Sequence, residues 1–197
     1  MTAPIAVFHT DPFAERWIDL NEHGIHVLLA AHPVTVGDFR EYLRIVGRPV
    51  AAARSRAEPL TAPVTDAPQT DAAAYCLWLG QKEGRQYRLP TMAELLALAQ
   101  EAEEDGISAE VWPHQYGNRA ELRGGMKEMF LCEWTCETEE VAMPAGKPPR
   151  VLGSIFYPPW LRHGGHTANA QAHLVATEGF SFVTFRVACP GARNPNA

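Results

Sequence analysis

"GRQYRLPTMAELLALAQEAEEDG", Gly84 to Gly106, is the stretch on which the reading of the fold turns. Pro90 restricts Leu89 to an extended backbone, so no helix can enter from that side. Thr91 and Glu94 then form T-x-x-E, a capping box in which each side chain satisfies a backbone N–H at a helix start. Leu95, Leu96, Leu98 and Ala99 supply an inward face at helical spacing, and the acidic run "EAEED" is a solvated end. An extended segment, a turn and a helix follow in immediate succession. Nothing in that corner requires chemistry; it is a piece of scaffold.

Working upstream, "TDAAAYCLWLGQKEG" predicts a helix capped by Thr70, with Tyr75, Trp78 and Leu79 as its buried stripe and Gly84 as its stop. Residues 48–69 are rich in Pro, Ala and Thr and read as a long connection. In "PVTVGDFREYLRIVG", Thr35 caps a helix whose apolar positions are Phe39, Leu43 and Val46, ended by Gly47. "HGIHVLLAA", His23 to Ala31, reads as a buried strand. Downstream of Gly106 the helical signal stops. "VWPHQYGNRAELRGG" and "MFLCEWTCETEE" predict short strands and turns, and "PAGKPP" a loop. "GFSFVTFRVACPG" alternates as a strand does, Phe180, Phe182 and Thr184 against Ser181, Val183 and Phe185. The expected architecture is α+β: two to three helices, short irregular strands and much loop, in one domain over residues 1–197.

The bulk properties exclude some functions. The net charge of −6 is spread without a basic block, so neither a nucleic-acid footprint nor a polybasic membrane patch is expected. No apolar run approaches the roughly 20 residues of a membrane span. The start, "MTAPIAVFHTDPF", lacks the basic and apolar regions of a secretory signal, and a cytoplasmic location is expected. Four cysteines, Cys76, Cys132, Cys136 and Cys189, contain no C-x-x-C pair, and reduced, mostly buried thiols are expected. In "CEWTC" a strand would hold the two sulfurs roughly 13 Å apart, too far to bridge, whereas a helix would let them meet.

Several blocks then carry a resemblance. "HPVTVGDFREYL", "APVTDAPQTDAAAYCLWLGQKEGRQYRLPTMAELLALA", "CEWT" and "TFRVA" occur in that order over roughly residues 25–189. Together they resemble the formylglycine-generating enzyme (sulfatase-modifying factor) family, which implies a variant of the C-type lectin fold. The resemblance also implies that Glu133 and Trp134 are core and corner, and that Arg186 pairs internally. Thr184 stands where that family prefers Gly.

The departures bear on function. Members that oxidise a target cysteine use a cysteine pair near the C-terminus to hold copper, because thiolates suit Cu(I). The corresponding stretch here, "VLGSIFYPPWLRHGGHTANAQ", Val151 to Gln171, has no cysteine, and Tyr157 and Leu161 or Arg162 stand about where the thiols belong. The Gly-Asn pair that precedes "EWT" in the family, associated there with calcium, is replaced by Met129 and Phe130. A related branch binds iron through an extra N-terminal helical domain, for which this chain has no room. His163, His166 and His173 cluster, but no carboxylate accompanies them, and no metal or other cofactor is expected.

Residues 150–177 hold no Lys, Glu, Asp or Met, yet concentrate aromatic, Arg and His side chains of the kind that binding surfaces favour. The resulting expectation is a non-catalytic recognition module with an unknown protein or small-molecule ligand. Its candidate contacts are Phe156, Tyr157, Trp160, Arg162, His163, His166, Asn169 and His173. An NNY codon encodes every residue type in the segment except Trp160 and Gln171, as in variable proteins diversified by retroelements on lectin-type scaffolds. The alternatives are a copper-dependent oxidase drawing a thiol from Cys132 or Cys136, and a structural or assembly subunit. The sequence leaves the oligomeric state open.

Overall fold

The computed structural model describes residues 17–49, 59–104, 131–144, 147–156 and 171–191. Its elements are β1 (Trp17–Asp19), a 3-10 turn (Leu20–His23), β2 (Val27–Ala30), α1 (Val36–Ile45), α2 (Gln69–Glu83) and α3 (Met92–Glu104). They are followed by β3 (Cys132–Val141), β4 (Arg150–Phe156), β5 (Gln171–Val175), β6 (Val183–Thr184) and β7 (Ala188–Pro190). One sheet has the order β1-β2-β7 and the other β5-β4-β3-β6. Three helices and two sheets of short strands make the α+β architecture expected.

Local chemistry explains most element boundaries. The Thr35 hydroxyl accepts the Asp38 N–H and starts α1. Gly84, with φ 69°, takes the left-handed conformation that ends α2. At α3 the Thr91 N–H donates to Glu94 at 2.7 Å and the Glu94 N–H to the Thr91 hydroxyl at 3.2 Å, the reciprocal box of the opening stretch. Thr70, by contrast, does not cap α2. That helix begins two residues earlier than a Thr70 cap implies, at Gln69 behind Pro68, and the Thr70 N–H reaches across to the Ala176 carbonyl.

The larger core joins α1, α2 and the strand ends around Phe39, Tyr42, Tyr75, Trp134 and Phe185. The aromatic rings of α1 and α2 meet one another and Phe185 at centroid separations of 5.4–6.0 Å, several of them edge-on, which suits the ring quadrupoles. A smaller cluster packs Leu95, Leu98 and Ala99 of α3 against Leu20, Leu29, Phe156 and Ala188. Leu96, expected inside, is 41% exposed, because the buried face of α3 is narrower than its leucine content.

Two strand expectations are corrected. The His23–Ala31 strand is confined to Val27–Ala30, since Leu20–His23 forms the 3-10 turn and Gly24 at φ 71° ends it. The C-terminal segment is not one alternating strand. β6 belongs to one sheet and β7 to the other, and Val183–Cys189 are buried without alternation as the chain crosses between them. The carbonyls of Phe185 and Val187 accept the N–H groups of Val34 and Ala30 on that crossing.

Candidate functional site

Three polar arrangements meet where β3 passes the helix starts. The first is the helix corner. Arg88 grips Glu94 with two nitrogens, at 2.8 and 2.6 Å, and also donates to the Leu89 carbonyl at 3.0 Å. Burial raises the Glu94 carboxyl pKa, but the Arg88 and Thr91 hydrogen bonds outweigh it and hold the group below its ordinary range. Both Glu94 oxygens are therefore occupied by the scaffold.

The second arrangement is fully buried. Arg186 binds Glu133 through Nε at 2.7 Å and a terminal nitrogen at 2.5 Å, and gives its other nitrogen to the carbonyls of Ala30 and Ala31. The pair ties β3 to the end of β2, as the internal role expected for Arg186 required. Trp134 is fully buried, with its indole N–H on the Ala67 carbonyl at 2.9 Å. Glu133 and Trp134 are structural.

The third is a bulge in β3. Pairing with β4 shifts between Trp134 and Thr138. The Gln69 amide nitrogen donates to the carbonyls of Thr135 and Glu137 at 2.7 and 3.0 Å, and the Cys136 N–H donates to the Pro90 carbonyl. Glu137 accepts the Met92 N–H at 2.8 Å and so caps α3 from across the fold. Gln69 and Glu137 carry no sequence signal because no periodicity or short-range motif marks a partner tens of residues away, and Arg88 carries none because it reaches Glu94 across the Pro90 turn, where no helical or strand spacing applies.

All four cysteines are free, and Cys136 alone is exposed. Burial pushes Cys76 and Cys132 up to about 12. Cys136 is also raised, by partial burial and by Glu137, against an opposing pull from Arg88. Upward shifts at Cys76, Cys132 and Cys136 run opposite to the lowered pKa of a nucleophilic or copper-binding thiolate, and Cys189 is buried. Among the described residues no three His, Cys, Asp or Glu side chains converge on a metal-sized site, and no helix is long and apolar enough to cross a membrane.

The candidate contacts fall into three groups. Phe156 is wholly buried against Leu95, Leu98 and Leu20; it is a core residue, and its assignment to a ligand-facing surface is corrected. Its hydrophobicity, which suggested a contact, suits it to this end of β4, which is buried on both faces, Ile155 in the larger core and Phe156 in the smaller. His173 is on the exposed side of β5, with Nε2 3.7 Å from Glu139. Tyr157, Trp160, Arg162, His163, His166 and Asn169 lie outside the described residues. The strands that bracket them are antiparallel, and Phe156 stands opposite Gln171.

A family model described as the sulfatase-modifying factor enzyme 1-like domain matches residues 21–130. The chain belongs to that family. The matched stretch includes the capping-box corner and ends before β3, so the segment 150–177 of this sulfatase-modifying factor-like chain lies beyond it. Among solved structures, PvdO from Pseudomonas aeruginosa is similar over 83% of this chain and 80% of its own, with 16% identity and a TM-score of 0.51. CarF is similar over 83% of this chain and 86% of its own, with 14% identity and a TM-score of 0.53. At such identities the likeness is one of fold, and it extends the formylglycine-generating-enzyme-like architecture over most of the chain. No curated protein matches the sequence.

Proposed function

We propose that this chain is a non-catalytic ligand-recognition module on a sulfatase-modifying factor-like scaffold, with its binding surface in the segment 150–177. The observation that carries the reading is the lack of any cysteine between Cys136 and Cys189, which leaves no thiol pair in the segment where the oxidising members keep theirs. The remaining thiols are buried, or raised in pKa as Cys136 is, and offer no replacement. The strands on either side of residues 157–170, β4 and β5, are paired neighbours in one sheet. Tyr157, Trp160 and Arg162 are the side chains that would give rigid contact area with polar tips. With Phe156 in the core, the contact set reduces to these three with His163, His166, Asn169 and His173. Diversification by a retroelement is a finer form of the same proposal.

The test is a triple substitution, Tyr157→Ala, Trp160→Ala and Arg162→Ala together, screened beside the wild type on arrays of defined peptides and glycans. Binding by the wild type that the triple variant loses at an unchanged thermal midpoint is the expected result. Unfolding of the variant would make these side chains core and end the proposal. For the diversified form, sequencing the flanking DNA should show a reverse transcriptase and a near-copy of the segment's codons differing at adenines. The exposed Cys136 favours one competing reading, a thiol-dependent oxidase, and it is the one that the closing experiment of the Discussion separates.

A further inference from the structure

β3 and β4 are paired in two blocks that are out of step. Glu133 and Trp134 stand opposite Phe156 and Ile155, whereas Thr138 to Val141 stand opposite Gly153 to Arg150. Between the blocks, Thr135, Cys136 and Glu137 of β3 face Ser154 alone of β4. The excess is two residues, and side chains along a strand repeat every two. Closing the bulge would bring Thr138 opposite Val151 and Glu139 opposite Arg150 without turning any side chain to the other face.

A one-residue slip is normally forbidden because it turns the apolar set outwards. A two-residue slip escapes that rule. The sliding part is also largely exposed, since Thr138, Glu139, Glu140, Arg150 and Val151 lie outside the core, so hydrophobic burial hardly favours either register. Patterning therefore does not select the bulge.

The hydrogen bonds do. Closing the bulge would return the Thr135 and Glu137 carbonyls to the β4 ladder, and in the bulged form both are taken by the two N–H groups of one Gln69 amide. The Cys136 N–H is held by the Pro90 carbonyl, and the Thr135 hydroxyl donates to the Ser154 carbonyl at 3.2 Å. Gln69 is itself 4% exposed and fills the space beside Gly153, where a Cβ would lie 2.5 Å from the amide carbon. Against the slipped form stand Pro148 and Pro149, which would enter the ladder opposite Val141 and Glu140 without an N–H to donate.

We infer that the β3–β4 hairpin is a two-register element and that Gln69 is the residue holding it in the bulged register. Without the amide, Thr138–Val141 slides two residues, roughly 7 Å, along β4. Glu137 then withdraws from the Met92 N–H, and the start of α3 loses its cap. The device belongs to the fold itself and stands whether or not the segment 150–177 binds a ligand.

Cysteine pairs read the register, because residues directly opposite in a ladder lie within disulfide reach and diagonal ones lie beyond it. In a Cys136→Ser background, Glu140→Cys with Val151→Cys reports the bulged register, and Thr138→Cys with Val151→Cys the slipped one. With Gln69 present, only the first pair is expected to cross-link under mild oxidation. With Gln69→Ala, or with Gln69→Met, which keeps the bulk but donates nothing, cross-linking of the second pair should rise roughly tenfold. A second pair that stays unlinked in folded Gln69 variants overturns the inference. So does unfolding of both variants, since the hairpin would then have no second register to adopt.

Discussion

Arg186 and Glu133 hold each other by two parallel hydrogen bonds with neither side chain exposed to water. Glu133 stands opposite Thr184 in the parallel β3–β6 pairing, two residues before Arg186, so the pair fastens the start of the C-terminal crossing to β3. Removing one partner leaves a buried charge unmatched. Glu133→Ala or Arg186→Met is expected to cost about 3–5 kcal/mol in urea unfolding, and the double variant Glu133→Leu with Arg186→Met much less than the two losses added. Additive losses would mean the pair is not coupled.

The corner that begins α3 should show its chemistry as a pH dependence. The Glu94 carboxyl is held below its ordinary value of 4.5, so the stability it contributes is present above that value and is lost as pH falls through the lower folded value. Thermal midpoints of wild type and Glu94→Gln should therefore differ near neutral pH and converge in acid. A gap that persists in acid would place the effect elsewhere. Thr91→Ala removes only the cap and is expected to cost about 1 kcal/mol.

Thiol labelling tests the burial of the cysteines. One of the four, Cys136, should react with a maleimide in the native protein, and Cys136→Ser should abolish that reaction. Fast native labelling of Cys132 would contradict its burial and its upward shift to about 12.

Phe156 and Tyr157 are adjacent in sequence and assigned opposite roles. Phe156→Ala empties a site among Leu95, Leu98 and Leu20 and is expected to cost about 3–5 kcal/mol. Tyr157→Ala should leave the unfolding midpoint near that of the wild type. Equal losses would put both side chains in the core.

The sequence was most legible where one local device sets one local structure. The Thr91–Glu94 box, the Thr35 cap and the Gly84 stop each lie within a few residues of what they determine. It misled at Thr70, where a good capping residue stands one position inside a helix started behind Pro68. It misled again at Phe156, whose composition suited a surface while its strand position made it core. Gln69 and Glu137 were silent because their partners are set by tertiary packing; Gln69 alone reaches 66 and 68 residues along the chain. The sequence did reveal the missing cysteines of 150–177, because an absent thiol needs no fold to be recognised.

The most direct test of the central claim is oxygen uptake with Cu(I) and a cysteine-containing peptide, measured for the wild type, Cys136→Ser and a protein-free copper blank. A recognition module on this scaffold predicts that wild type and variant both remain at the blank rate. Peptide-dependent turnover above the blank that Cys136→Ser abolishes would contradict it and make the chain a thiol-dependent oxidase.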